Sequence, residues 1–341
     1  MSRYRRPDFS VPTVKIPLQP PGLDNVFTRL VRRAEAAGFE RIWNFESTDR
    51  EAFAQATLLA LGSSTITIGT DIASFFSHTP TLLAMGALTL HEISGGRFIL
   101  GIGPGGTQII SDGHGIPFEK PVKRARETVQ IIRSLLSGER FNFEGEIFNI
   151  RRDFRLRLKP NGRGIPIYIS GINPRMLQLA GELADGVILT HAPIEAIKDV
   201  KENVAIGAAR AGRDPAEVLM LSNLPVGVND EEAIFALKRS LCLYLASETF
   251  DWFVSHTEWG ELRARIKSLW WENRRDEAAT LADDRFVETF GLGFKDDVIQ
   301  ARILKYLEAG VVPILYPYGV RDGHEEDDLN HLLDRGAEAT R

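Results

Sequence analysis

Short apolar runs alternate with amphipathic stretches along this 341-residue chain, and no single motif constrains the fold as tightly. Residues 14–18, 41–45, 65–72, 98–102, 165–170, 186–190, 218–228 and 311–316 read as strands, being short, apolar and rich in β-branched side chains. Between them, helices are expected over 23–37, 51–61, 79–93, 119–136, 174–183, 193–211, 231–245, 296–309 and 325–335. In the fourth of these, Val122, Ala125, Val129, Ile132 and Leu136 step by three and four, which gives one buried face. Strand–helix alternation implies a parallel sheet covered by helices. With about eight such units in one domain, a closed (β/α)8 TIM barrel is expected over 1–341, rather than an open doubly wound sheet.

Two stretches break the rhythm. Over 139–158, Phe141 and Phe143 on one side and Phe148 and Ile150 on the other flank Glu144-Gly145-Glu146. Each pair alternates with polar residues, so an inserted β-hairpin is expected. Residues 246–292 carry Trp252, Trp259, Trp270 and Trp271 and read as a helical insertion over the barrel mouth, either a substrate lid or helix packing.

The bulk properties exclude several classes. Lys and Arg number 41 against 46 Asp and Glu, a net charge of −5, so there is no basic footprint for nucleic acid. No apolar stretch approaches the roughly 20 residues that span a bilayer, so no membrane association is expected. The N-terminus lacks the apolar segment of a signal peptide. The lone cysteine, Cys242, rules out an internal disulfide or a cysteine-based metal cluster. None of the 7 histidines forms a metal-ligand pair at helical spacing, so no metal is expected. These features fit a cytoplasmic protein.

The run from Phe98 to Ile102 flows into Gly103-Pro104-Gly105-Gly106-Thr107. Glycines at a strand end let backbone N–H groups crowd against an anion; a tight turn is the plainer reading. Gly101, Gly103 and Gly106 match G-x-G-x-x-G, but a Rossmann site belongs in the first βαβ unit, and these follow the fourth strand. No Gly-Lys-Ser/Thr follows, so this is no P-loop. At the C-terminal end of a barrel strand, the loop lies where barrel enzymes build their active sites.

The ordered segments resemble the luciferase-like family of flavin- and deazaflavin-dependent oxidoreductases. They are Gly38-Phe39, Ile42-Trp43, Ile68-Gly69-Thr70-Asp71-Ile72, His78-Thr79-Pro80, the run Leu90 to Arg97 into the glycine loop, Pro166 to Pro174, Leu179 to Gly186, Phe290 to Asp297, and Glu308 to Val311. Within that family the chain is most similar to the coenzyme F420 branch, which includes methylene-tetrahydromethanopterin reductase. The resemblance implies a TIM barrel, F420 as cofactor with FMN as the alternative, and a homodimer. It also implies a third-strand bulge with a cis peptide at Asp71–Ile72, continuing into Ala73 and backing the ring. The phosphate end is then expected between Gly103–Thr107 (Gly103, Pro104, Gly105, Gly106, Thr107) and Ser170, Gly171, Ile172 and Asn173. The second of these segments precedes a helix N-terminus.

The catalytic positions depart from that pattern. Where many F420 enzymes carry Asp-His after the second strand, this chain has Glu46-Ser47, and a glutamate found after the glycine loop in some dehydrogenases is Gly106 here. Glu46 is either an acid near the ring or an ordinary strand-end carboxylate, and Ser47 a positioning group. His191 ends the sixth strand and His78 follows the bulge, where each either touches ligand or supports a loop. Phe75 and Phe76 are expected to line the substrate pocket. The expected reaction is hydride transfer from reduced F420 to an activated C=C or C=N bond of a small or natural-product substrate. The alternatives are an FMN-dependent monooxygenase fed by a partner flavin reductase, and a non-catalytic flavoprotein.

Overall fold

The computed structural model describes residues 7–10, 25–48, 50–158, 160, 162, 164–321 and 323–339. Strands β1 (Asp8–Ser10), β2 (Arg41–Asn44), β3 (Thr67–Thr70), β4 (Ala73–Ser74) and β5 (Phe98–Gly103) come first. After β6 (Phe141–Glu144) and β7 (Asn149–Phe154) follow β8 (Ile167–Ser170), β9 (Gly186–Thr190), β10 (Leu219–Val226) and β11 (Val312–Pro317). Parallel pairing runs β3-β2-β1-β11-β10-β9-β8-β5 and closes through β3–β5, with β4 continuing β3. The result is a closed 8-strand parallel barrel ringed by helices, a (β/α)8 TIM barrel. The strand read at 14–18 lies outside the described residues; the first stave is β1, between β2 and β11. β6 and β7 form a separate antiparallel hairpin.

Local chemistry sets the helix ends. Asn25 and Thr28 form a reciprocal capping box for helix Val26–Ala37, and Gly38 ends it at φ 84°. Glu51 caps Ala52–Gly62 by accepting from the N–H groups of Phe53 (2.8 Å) and Ala54 (2.7 Å). Thr79 and Pro80 open Pro80–Ile93. Phe9, Ile42, Ile68, Leu100, Ile167, Val187, Leu224 and Leu315 point outward into the apolar layer beneath the helices.

The barrel interior is a separate cluster of Trp43, Ile99, Tyr168, Ile188, Leu221, Val312 and Ile314. Trp43 and Tyr168 fill the axis with ring centroids 5.8 Å apart. Their bulk requires glycine opposite: a Cβ on Gly69 would sit 2.2 Å from the Trp43 ring. Asp8 is buried here too, accepting from Trp43 Nε1 at 2.9 Å and lying 3.2 Å from Arg41 Nε.

The third stave is interrupted rather than continuous over 65–72. Gly69 pairs with Ile99, but Ala73 pairs with Ile102, so the β3–β4 segment carries one extra residue. The Asp71–Ile72 peptide within it is cis. The Thr70 hydroxyl repairs the ladder there, accepting from Gly101 N–H (3.0 Å) and donating to the Gly101 carbonyl (2.8 Å).

The insertion that leads into β11 contains helices Asp251–Val254, Gly260–Trp271, Arg275–Leu281 and Asp284–Phe290. Trp259 donates from Nε1 to Thr289 Oγ1 (2.8 Å) and packs on Phe286, while Trp270 is buried and Trp271 exposed. Trp259 and Trp270 therefore pack within the protein, whereas Trp271 does not. No helix among the described residues is long and apolar enough to cross a membrane.

Candidate active site

The C-terminal strand ends bring the bulge, the glycine loop and the segment after β8 together. A Cβ on Gly103 would lie 2.8 Å from Ile72 Cγ1 and 3.0 Å from Ser170 Cβ, so only glycine permits this approach. β4 is tied to the loop by Ser74 Oγ donating to the Pro104 carbonyl (3.0 Å) and Phe75 N–H donating to the Gly103 carbonyl (3.0 Å). Gly105 takes φ 76°. Gly106 and Thr107 are exposed, so the loop's outer backbone is open to a ligand. Gly171 is buried, Ser170 and Ile172 are half-buried, and Asn173 is exposed. The Asn173 amide donates to the Thr249 carbonyl (3.3 Å), which joins the insertion to this rim.

Glu46 is not a free carboxylate. It accepts from Ser74 N–H (3.2 Å) and from the Ser77 hydroxyl (3.2 Å), and His78 Nδ1 lies 3.5 Å away. It therefore locks the bulge to the end of β2. His78 Nε2 faces Glu51 at 3.8 Å, and its ring packs on Phe53. Ser47 forms a turn with Arg50, its hydroxyl accepting from Arg50 N–H at 3.3 Å. Phe75 and Phe76 lie in the core rather than on an exposed surface. Both are buried, and Phe76 stacks on Phe118 (4.7 Å between centroids) beneath the Arg124 guanidinium (4.6 Å).

His191 stands at the centre of an aromatic group. Its ring lies 4.5 Å from Tyr244, 6.1 Å from Phe250, 6.4 Å from Tyr316 and 6.5 Å from Tyr318. The residue takes φ 53°, held by its N–H donating to the Asn223 carbonyl at 2.9 Å. The same carbonyl is 3.3 Å from Nδ1, and a carbonyl only accepts, so Nδ1 carries the proton. Nε2 is left as an acceptor, buried and with no partner among the described residues. Burial pushes the imidazole pKa down to about 3, so the ring is neutral.

Asp71 projects from the bulge into the barrel axis. It is 7% exposed, with the Asn223 side chain as its polar neighbour. Burial pushes its pKa up to about 8, against the pull of Asn223 and with a further push from Asp8. Asp71 Oδ2 and Asn223 Oδ1 are buried without partners among the described residues.

Sequence reasoning missed Asn223, Tyr244, Phe250, Tyr316 and Tyr318. Alternation along β10 and β11 carries the signal for two of them. Asn223 and Tyr316 fall on the inward parity near strand C-termini, where a polar group marks the site. Phe250 and Tyr244 come from after β10, and nothing local in the sequence points them at β9. Among the described residues, no group of three or more His, Cys, Asp or Glu is placed to hold a metal.

The family profile described as Luciferase-like monooxygenase matches residues 18–312. The 5,10-methylenetetrahydromethanopterin reductase of Archaeoglobus fulgidus is 32% identical over 293 residues, covering 84% of this chain and 87% of the relative. The solved structure of the coenzyme F420-dependent tetrahydromethanopterin reductase from Methanopyrus kandleri superposes with a TM-score of 0.81 at 23% identity. It covers 98% of this chain and 100% of that one. An FMN-bound type II Baeyer–Villiger monooxygenase component from Pseudomonas putida superposes at 0.65 with 19% identity, over 98% of each chain. This chain belongs to the luciferase-like monooxygenase family of oxidoreductases.

Proposed function

We propose that this protein is a coenzyme F420-dependent oxidoreductase that transfers a hydride between the reduced cofactor and an activated C=C or C=N bond of a small or natural-product substrate. The observation that carries the reading is the 32% identity, over 84% of the chain, to a reductase of a methylene-bridged pterin. The site supports it physically. A planar ring needs a flat, mostly apolar seat, which Ile72 and the bulge offer beside the glycine loop. Orphaned buried polar atoms on Asp71, Asn223 and His191 suit a ligand that brings its own donors and acceptors. Gly103–Thr107 and Ser170–Asn173 would hold the phosphate end through backbone N–H groups.

Bound there, F420 would supply a hydride at its ring carbon. The chain's own groups orient the partners. His191 Nε2 accepts a hydrogen bond from the substrate, and the Tyr244, Phe250, Tyr316 and Tyr318 rings wall it from water. Glu46 holds the bulge and exchanges a proton at Oε1 through Ser77 and His78. Exposed Leu61, Leu82, Met85 and Ile93 supply apolar surface suited to a homodimer.

An FMN-dependent monooxygenase is the second reading, favoured by the FMN-bound neighbour of the same fold. Fluorescence titration with F420 and with FMN separates the two. Binding of FMN alone overturns the F420 assignment.

A further inference from the structure

Among the described residues, the barrel axis carries the buried carboxyl groups of Asp8 and Asp71, and of these Asp8 has a cation beside it. Asp8 on β1 faces Arg41 at 3.2 Å and accepts from Trp43. Asp71, from the bulge above it, has the neutral Asn223 side chain of β10 as the polar group that favours its ionised form. The other groups that face it are Asp8 from below, whose charge opposes ionisation, and the buried, uncharged Tyr316 phenol of β11. At β2, the Asn44 carbonyl accepts from Asp71 N–H (2.6 Å); just beyond the strand, Glu46 N–H donates to the Ile72 carbonyl (3.3 Å), while the Glu46 carboxylate turns to Ser74 and Ser77. His191, just after β9, meets the Asn223 carbonyl and is neutral. No cation among the described residues compensates a charge on Asp71, which is 7% exposed and whose Oδ2 is buried without a partner among them. A carboxyl buried in this way takes a proton instead of remaining an unpaired charge.

We propose that Asp71 stands in the resting protein as a neutral carboxylic acid, and that this proton is a condition for binding the cofactor ring. The inference rests on the F420 reading above. Deazaflavin and flavin rings become anionic when they lose a ring proton. An Asp71 carboxylate in the floor beneath such a ring would repel it across a low-dielectric gap, whereas the acid form offers an O–H donor. Binding and protonation are therefore linked: the ring binds the protonated floor, and the bound ring raises the affinity of Asp71 for its proton. The direction agrees with the carboxyl pKa being pushed up to about 8 by burial in the free protein.

Infrared spectroscopy of the protein labelled with 13C-aspartate reads the proton directly. The carbonyl stretch of a protonated acid should be present near neutral pH, fade as pH rises through about 8, and be missing from Asp71→Asn. Adding F420 should move that fading to higher pH. In parallel, the Kd for F420 should rise roughly tenfold per pH unit above the Asp71 pKa in the wild type relative to Asp71→Asn. The ring's own titrations are common to both proteins and cancel in that ratio. Absence of the acid band near neutral pH overturns the proposal, as do parallel Kd profiles for the two proteins. If Asp71→Asn does not fold, the F420-induced movement of the wild-type band decides alone, and a band that stays in place refutes the linkage. Failure of both F420 and FMN to bind at every pH refutes the cofactor reading and the linkage with it, while the band still reports the proton.

Discussion

Replacing Thr70 by valine tests how the bulge is held. The two side chains have nearly the same shape, so the change removes a hydroxyl and little else. That hydroxyl accepts from the Gly101 N–H at 3.0 Å and donates to the Gly101 carbonyl at 2.8 Å, in a place where the extra residue breaks the regular ladder. Thr70 is fully buried, so water cannot replace it. A buried N–H left without its acceptor costs about 1–3 kcal/mol, and the lost hydroxyl bond about 0.5–1.5 kcal/mol more. The sum is about 1.5–4.5 kcal/mol. Thr70→Ser keeps both bonds and loses one methyl, worth about 1 kcal/mol. Urea denaturation of the three proteins gives the difference, provided the slopes agree. The valine variant should be the least stable by about 0.5–3.5 kcal/mol relative to serine, and its affinity for F420 should fall with the loosened bulge. Valine equal to or more stable than serine would refute the reasoning.

Other outcomes follow from the same geometry. Gly103→Ala places a Cβ 2.8 Å from Ile72 and 3.0 Å from Ser170, and overpacking should cost about 1–3 kcal/mol. F420 titration should show weaker binding, because the rim loops are pushed apart. Glu46→Gln keeps an acceptor for Ser74 N–H but removes the proton-exchanging carboxylate. Stopped-flow kinetics should show hydride transfer slowed by roughly a hundredfold, with cofactor affinity little changed. Asp71 carries a sign that can be checked in stability. Its native pKa, raised to about 8 from 3.8, means the folded state keeps the proton longer than the unfolded chain does. The resulting stabilisation is complete below about pH 4 and is lost as pH rises through about 8. Urea titrations should show the wild type losing about 1.4 kcal/mol per pH unit relative to Asp71→Asn across that window.

The barrel was legible because its determinants are local. Strand β9 and helix Pro174–Leu183 have the same bounds in sequence and structure, because glycine, proline and apolar periodicity mark both ends. The first stave was not legible: Asp8-Phe9-Ser10 is short, and its aspartate points inward, a burial decided by Arg41 and Trp43 from the next strand. The glycine loop after β5 could be named as a candidate rim because it ends a barrel strand, where barrel enzymes build their sites. The aromatic group around His191 could not. Phe75 and Phe76 follow the bulge directly, yet the helical turn after Ser74 carries them into the core against Phe118. Tyr244 and Phe250, distant in sequence, take the place beside His191. Glu46 looked like a candidate acid, and only the structure shows that Ser74, Ser77 and His78 already engage it.

The central claim is the identity of the cofactor, and anaerobic fluorescence titration of the purified protein with F420 and with FMN tests it most directly. The account predicts saturable F420 binding that weakens in Gly103→Ala, with FMN binding much less tightly. Tight FMN binding with no response to F420 would contradict it.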